Sequence, residues 1–263
     1  MIRVAIVNTK GGSGKTTLTV SLASWLAARG KRVAIVDYDP QGSSLAWLAR
    51  RPATAPKIIG VKAHDIDFRI NRSYRLVDGQ EVGYLLMDTP AAIARQNLIY
   101  FCRDAHRVLV PVLPSAIDTH ACARLIQNLL LNGGLRHDQA RLAVVASRTR
   151  HNTLAYTALQ RFLATMNLPI IATVRDSQNY VKSAELGLGV PEMPVKQVEK
   201  DLTTWNTLGE WLESVPTDIQ AFQESKRPTS VAGTFRAAGA VGAANQGSFV
   251  KEPVAIPAML RAD

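Results

Sequence analysis

The 263-residue sequence is poor in cysteine, with two in all, Cys102 and Cys122. Two cysteines cannot build a disulfide scaffold, and their spacing is not that of a zinc site. Both fall in predicted helices without a flanking glycine cluster, which makes them core residues rather than iron–sulfur ligands. Long apolar runs are missing too: none approaches the roughly 18 residues of a membrane span. One basic residue ahead of a strand-like run does not read as a secretory leader, so a cytoplasmic protein is expected. With 47% hydrophobic residues the chain can build a full core, which excludes a wholly disordered protein. Acidic residues are the scarcer charge, 21 against 31 basic, giving a net charge of +10. Such a surface suits nucleic acid, anionic lipid or an acidic partner, or it serves solubility.

What the chain does have is a regular alternation of short apolar runs with segments of helical period. Apolar runs at 2–7, 32–37, 57–62, 82–87, 107–112, 141–147 and 170–174 read as strands buried on both faces. Helical spacing is found at 18–28, 43–51, 91–104, 117–131, 153–166 and 198–212, and residues 65–81 read as a helix followed by an Asp78-Gly79 turn. The order predicts an α/β fold, a mostly parallel sheet flanked by helices on both faces. From about Lys226 the composition turns to Ala, Gly, Val and Pro without periodicity. Residues 1–225 are therefore expected to form the folded domain and 226–263 a disordered tail.

The densest chemistry lies between the first strand and the first helix, in Asn8-Thr9-Lys10-Gly11-Gly12-Ser13-Gly14-Lys15-Thr16-Thr17. Glycines in that place let successive backbone N–H groups turn inward around phosphate oxygens, and the helix N-terminus adds positive charge. Lys15 is placed for the β- and γ-phosphates, the Thr16 hydroxyl for Mg²⁺ and Thr17 for the α-phosphate. The pattern G-x-x-x-x-G-K-[ST] is not met, because Thr9 stands at its first glycine; an extra lysine, Lys10, is present instead. Two lysines in so tight a loop repel unless an anion sits between them. Two acidic motifs follow at strand ends, where ligands bind in open α/β sheets: Asp37-Tyr38-Asp39-Pro40-Gln41 and Asp88-Thr89-Pro90. Asp88 suits a water-mediated hold on Mg²⁺, Asp39 the orientation of an attacking water, and Asp37 support of the same loop.

These three motifs, K-G-G-S-G-K-T-T at 10–17, V-D-Y-D-P-Q-G at 36–42 and M-D-T-P at 87–90, resemble the ParA/MinD family of deviant Walker A ATPases. The D-P-Q-G form is more similar to the ParA branch. Ser147-Arg148, Thr153, Arg175, Tyr180 and Gly187-Leu188-Gly189-Val190 extend the similarity to compact ParA proteins, over about residues 1–215. The resemblance implies a P-loop NTPase fold and an ATP-dependent homodimer in which Lys10 reaches the partner subunit's phosphates. It implies Lys10, Lys15 and Asp39 as catalytic residues. It assigns residues 10–17 (Lys10, Gly11, Gly12, Ser13, Gly14, Lys15, Thr16 and Thr17) with Arg148 to the nucleotide, and Thr16 and Asp88 to Mg²⁺. It further implies non-specific DNA binding over the nucleoid, and a ParB-like or cargo-adaptor protein that stimulates hydrolysis to move a plasmid, a chromosome region or a protein cargo. The compact layout carries the expectation that no helix-turn-helix domain precedes the first strand.

Arg148, Arg150, Arg161, Arg175, Lys182, Lys196 and Lys200 are basic residues that could contact DNA; Arg150, Lys182, Lys196 and Lys200 are the selected set. None is interleaved with aromatics, so contact with the phosphate backbone without sequence preference is expected. Pro253 and Pro257 interrupt the apolar end of the tail, which disfavours a membrane helix. Two alternatives stay open: a MinD-like membrane-surface ATPase, and an ATP-dependent biosynthetic ligase of the same fold, similar to dethiobiotin synthetase.

Overall fold

The computed structural model describes residues 1–63, 82–132, 135, 141–150, 153–166, 168 and 170–214. The expected helix and turn at 65–81 and the tail at 226–263 lie outside the described residues. The described chain runs β1 (Ile2–Ile6), α1 (Lys15–Ala28), β2 (Val33–Asp37), α2 (Ser43–Ala49), β3 (Ile58–Lys62), β4 (Tyr84–Asp88) and α3 (Arg95–Asp104). It continues with β5 (Arg107–Val112), α4 (Ala116–Asn132), β6 (Leu142–Thr149), α5 (Leu154–Thr165), β7 (Ile170–Arg175), α6 (Gln178–Glu185), a 3₁₀ turn (Val190–Glu192) and α7 (Val195–Glu213).

The strands form one seven-stranded sheet in the order β3-β2-β4-β1-β5-β6-β7, and every pairing is parallel. Because side chains alternate along a strand, the apolar runs feed two cores. Ala5, Val36, Leu85 and Val110 pack with Leu98, Cys102, Cys122, Ile126 and Leu159 of α3, α4 and α5. Val4, Ile35, Leu86 and Val145 pack on the other face with Leu22, Trp47, Trp205 and Leu212 of α1, α2 and α7. Helices thus cover both faces, and both cysteines are core residues. Burial pushes each thiol up to about 12, so they stay protonated.

The elements match the sequence reading except at short polar segments. Helix α3 starts at Arg95 rather than Ala91, leaving residues 91–94 as a loop. Strand β6 continues two residues past Ser147, across a register irregularity between Ala146 and Thr149. Helix α7 begins three residues earlier than its apolar period suggests. Helix α6 and the 3₁₀ turn have no period long enough to read.

That 3₁₀ segment is clamped to α2. The Arg51 guanidinium pairs with Glu192, donates from Nη1 to the Gly187 carbonyl, and from Nε and Nη2 to the Pro56 carbonyl. Glu192 in turn accepts from the Gly189 N–H at 2.9 Å, and Trp47 Nε1 donates to the Leu188 carbonyl at 3.2 Å. Arg51 and Glu192 side chains are 6% and 7% exposed, so this pair is screened far less than a surface one.

Candidate functional site

The centre of the sheet places the chemistry. The register sets Ile6, Asp88 and Asp37 level on the adjacent strands β1, β4 and β2. Beyond Ile6 the chain leaves the sheet, tied down by Val7 N–H to the Leu109 carbonyl and by Asn8 Nδ2 to the Pro111 carbonyl. The Asn8 Oδ1 then accepts from the Lys10 N–H at 2.9 Å, which starts the turn. Gly12 and Gly14 adopt φ of +70° and +95°, a region that side chains disfavour. At Gly14 a Cβ would also stand 3.2 Å from Ser147 Oγ.

Lys15, 7% exposed, donates from Nζ to the Lys10 carbonyl at 3.1 Å. Burial lowers its pKa, and the charges of Asp88 and Asp39 work against that fall. Lys10 turns away: its ammonium lies 3.7 Å from Asp118 Oδ1 on the first turn of α4. Each lysine thus has a partner within the protein, Lys15 on a carbonyl and Lys10 on Asp118.

Asp37 is fully buried and accepts four hydrogen bonds. Its Oδ1 takes the Asp39 N–H at 3.0 Å; its Oδ2 takes the Ser44 N–H, the Ser44 hydroxyl and the Leu45 N–H at 3.2, 2.7 and 3.2 Å. It fixes the start of α2 and the loop that carries Asp39. Asp39 is half-buried and accepts from the Gln41 N–H at 3.0 Å.

Asp88 behaves differently. It is 1% exposed, and neither carboxylate oxygen has a hydrogen-bond partner among the described residues. Burial, then the charge of Asp37, pushes it up to about 7, while Thr16 and Lys15 pull it back. The Thr16 hydroxyl is thus near enough to act on Asp88 without meeting hydrogen-bond geometry. A buried carboxylate with orphaned oxygens beside a lysine and a threonine hydroxyl fits a hydrated divalent cation. No cluster of three or more metal-ligating side chains occurs among the described residues.

A cavity of about 1230 Å³ opens over the phosphate loop and the Asp39 loop. Its walls come from residues 11–18, 38–41 and 90–94, from Ser147 and Arg148, and from the β7–α6 junction with Trp205 of α7. Gly11, Gly12, Ser13, Gly14, Lys15, Thr16, Thr17, Asp39 and Arg148 all line it; Lys10 and Asp88 do not. Arg148, with φ of +50°, is the only non-glycine residue with positive φ among the described residues. Its Nε lies 3.6 Å from Asp176 Oδ1, and Arg150 bonds the same carboxylate at 3.0 Å through Nη2.

Of the basic residues singled out for DNA, Lys182, Lys196 and Lys200 are exposed, and Arg150 is exposed but paired with Asp176. Arg175, with its side chain 29% exposed, lines the cavity and is held by Asp201. Sequence reasoning missed Asp118, Asp176 and Asp201, which act through partners far away in the chain. No described helix is long and apolar enough to cross a membrane.

Comparison with known proteins agrees with this geometry. The family model described as the CobQ/CobB/MinD/ParA nucleotide binding domain matches residues 4–190. The maintenance of carboxysome distribution protein A of Gloeobacter kilaueensis is 29% identical over 212 residues, 80% of this chain and 93% of that protein. The chromosome-partitioning ATPase Soj of Thermus thermophilus is 53% identical over 49 residues, 19% of this chain and 20% of its own length. Among solved structures, Aquifex aeolicus MinD superposes with a TM-score of 0.63 at 19% identity, covering 82% of this chain and 99% of that one. Cyanothece McdA, solved as an ATP complex, gives 0.62 at 17% identity, with 81% and 96% covered. The chain, with its glycine-rich loop at the centre of a seven-stranded parallel sheet, belongs to the CobQ/CobB/MinD/ParA nucleotide-binding family.

Proposed function

We propose that the chain is a ParA-type ATPase that binds ATP with Mg²⁺, dimerises, binds DNA without sequence preference and hydrolyses ATP when a partner protein stimulates it, so as to position a cargo. The observation that carries this reading is the convergence of Lys15, Thr16 and Asp39 on one end of the cavity, beside the buried and orphaned Asp88, whose charge acts on Lys15. Lys15 and the N–H groups of residues 11–17 hold the phosphates. Thr16, and Asp88 through water, would hold Mg²⁺, which supplies neutralisation of the phosphate charge. Asp39 orients the attacking water; the water's oxygen bonds the γ-phosphorus as the bond to the β–γ bridging oxygen breaks, and the water's protons stay on the released phosphate, leaving ADP and phosphate. Lys10 lies outside its own cavity, paired with Asp118, which supports a role towards a second subunit.

The exposed Lys182, Lys196 and Lys200, with the +10 net charge, support a polyanionic partner and an association with the nucleoid. The names of the relatives, one in carboxysome distribution and one in chromosome partitioning, support a cargo-positioning role.

The test is DNA binding with and without ATP, on duplexes of unrelated sequence, beside hydrolysis. The wild type should bind with ATP and weaken steeply with salt. Lys15→Ala should lose nucleotide binding and ATP-dependent DNA binding. Asp39→Ala should bind ATP and DNA but hydrolyse at least tenfold more slowly. Normal hydrolysis by Asp39→Ala would refute its role, and equal DNA binding by Lys15→Ala would refute the ATP switch.

A further inference from the structure

The far end of the cavity holds an ion pair with no place in the phosphate chemistry. Asp201 of α7 is 1% exposed, and Arg175 at the end of β7 donates to it twice, Nε to Oδ1 and Nη2 to Oδ2, each at 2.7 Å. The Tyr180 hydroxyl and Asn179 Nδ2 add bonds of 3.3 Å each. A carboxylate this deep is costly unless its lone pairs are filled, and here four donors fill them.

For Arg175 the consequence is orientation. A two-point fork fixes the guanidinium plane, where a single bond would let it turn. The fork uses Nε and Nη2, so Nη1 is left as a charged donor without a protein acceptor among the described residues, on a side chain that lines the cavity. Strand β7 is three places from β1 in the sheet. At about 4.8 Å per strand, Arg175 stands roughly 14 Å across the sheet from the phosphate loop. With phosphates held at residues 11–17, the nucleoside end of the ligand falls there. Helix α7 itself meets the cavity one turn beyond Asp201, at Trp205. That indole is fully buried, its N–H has no acceptor among the described residues, and its ring lies 6.3 Å from the Tyr180 ring.

We propose that Asp201 is a positioning residue for nucleoside recognition: it holds Arg175 so that Nη1 donates to an acceptor on the nucleoside end of ATP. The inference rests on the ATP-binding reading above and adds to it that α7 is tied to occupancy of the site.

Calorimetric titration with Mg²⁺–ATP and with Mg²⁺–tripolyphosphate, which has no nucleoside, tests this. Asp201→Asn should weaken ATP about tenfold, the size of one oriented charged hydrogen bond. It should change tripolyphosphate affinity less than twofold. Arg175→Ala should lose as much. The double variant Arg175→Met/Asp201→Asn, which buries no unpaired charge and so keeps the fold, should lose no more than either single change. ATP affinity within twofold of wild type in the double variant would overturn the proposal, as would equal losses for both ligands or additive losses. A wild type that binds neither ligand would instead overturn the ATP reading beneath it.

Discussion

Removing the Asp37 carboxylate should cost the protein both stability and hydrolysis, for one reason. Asp37→Ala strips the acceptor from three backbone N–H groups and one hydroxyl at a site with no solvent exposure. Hydrogen bonds to a charged acceptor contribute about 1.5–3 kcal/mol each, so four would sum to about 6–12 if they were independent. They are not. Ser44 supplies two of the donors, and the space left by the carboxylate admits a water that restores part of the bonding. A second offset comes from Asp88, which Asp37 repels; losing that repulsion stabilises the variant. The bonding loss outweighs both, because it concerns several donors and the repulsion a single pair. A net cost of about 3 kcal/mol follows, which within a total of about 5–15 kcal/mol leaves the protein folded. In urea, with a slope near 3 kcal/mol/M, the midpoint should fall by about 1 M. Since the Asp39 N–H is anchored on Asp37, ATP hydrolysis should drop at least tenfold, while nucleotide affinity, which we assign to residues 11–17, should move less than threefold. Urea titration followed by circular dichroism, beside phosphate release, measures both. A midpoint shift below about 0.3 M together with normal hydrolysis would refute the reasoning.

His106 and Gly209 test other parts of the fold. His106 is 6% exposed, accepts the Arg3 N–H on Nδ1 at 3.0 Å, and is driven down to about 3, by burial first and then by Arg3, Arg141, the N-terminus and Arg107. It therefore stays neutral in the folded state while the unfolded chain takes up a proton below about pH 6.5. Its contribution is complete above that value and is lost as pH falls towards 3, at about 1.4 kcal/mol per pH unit. His106→Asn, which keeps an acceptor, should lose about 2 kcal/mol less than wild type between pH 6.5 and 5; equal losses would contradict the assignment. At Gly209 an added Cβ would lie 2.2 Å from the Trp25 ring. That ring is held by Asn206 and covered by Arg29 at 3.7 Å, so it cannot yield freely. Gly209→Ala should cost about 1–3 kcal/mol and lower the melting temperature by several degrees; an unchanged melting temperature would show that α1 and α7 can part without cost.

What could be read from the sequence was what is local. The run from Ile2 to Val7, the glycines and the helix after Lys15 lie within one short stretch, and the strand–loop–helix context supplied their meaning. Asp37, Asp39 and Asp88 were legible because a parallel sheet puts every strand's C-terminal end on the same edge. The supporting carboxylates were not. Asp118, Asp176 and Asp201 gain their roles from partners 108, 28 and 26 residues away, Lys10, Arg148 and Arg175. Arg175 shows what spacing hides: counted as a charge it belongs with the basic residues, and the structure adds its fork to Asp201 and a place on the cavity wall. Helix α6 escaped notice because its Gln178-Asn179 start carries no apolar period and is held by Asn179 bonds to the Gln197 carbonyl and Asp201.

Helix α2 is fastened at both ends. Asp37 grips Ser44 and Leu45 at its start, and Arg51, just past its end, is locked to Glu192, Gly187 and Pro56. A helix pinned in this way cannot serve as a lever arm. Any rearrangement of Asp39 during turnover has to be absorbed between two fixed posts, by the few dihedrals of Pro40, Gln41 and Gly42, where Gly42 already sits at φ of +61°. The two posts thus leave the three residues between Asp39 and α2 as the one free joint of this edge of the site, while the strand that carries Asp37 stays paired on both sides.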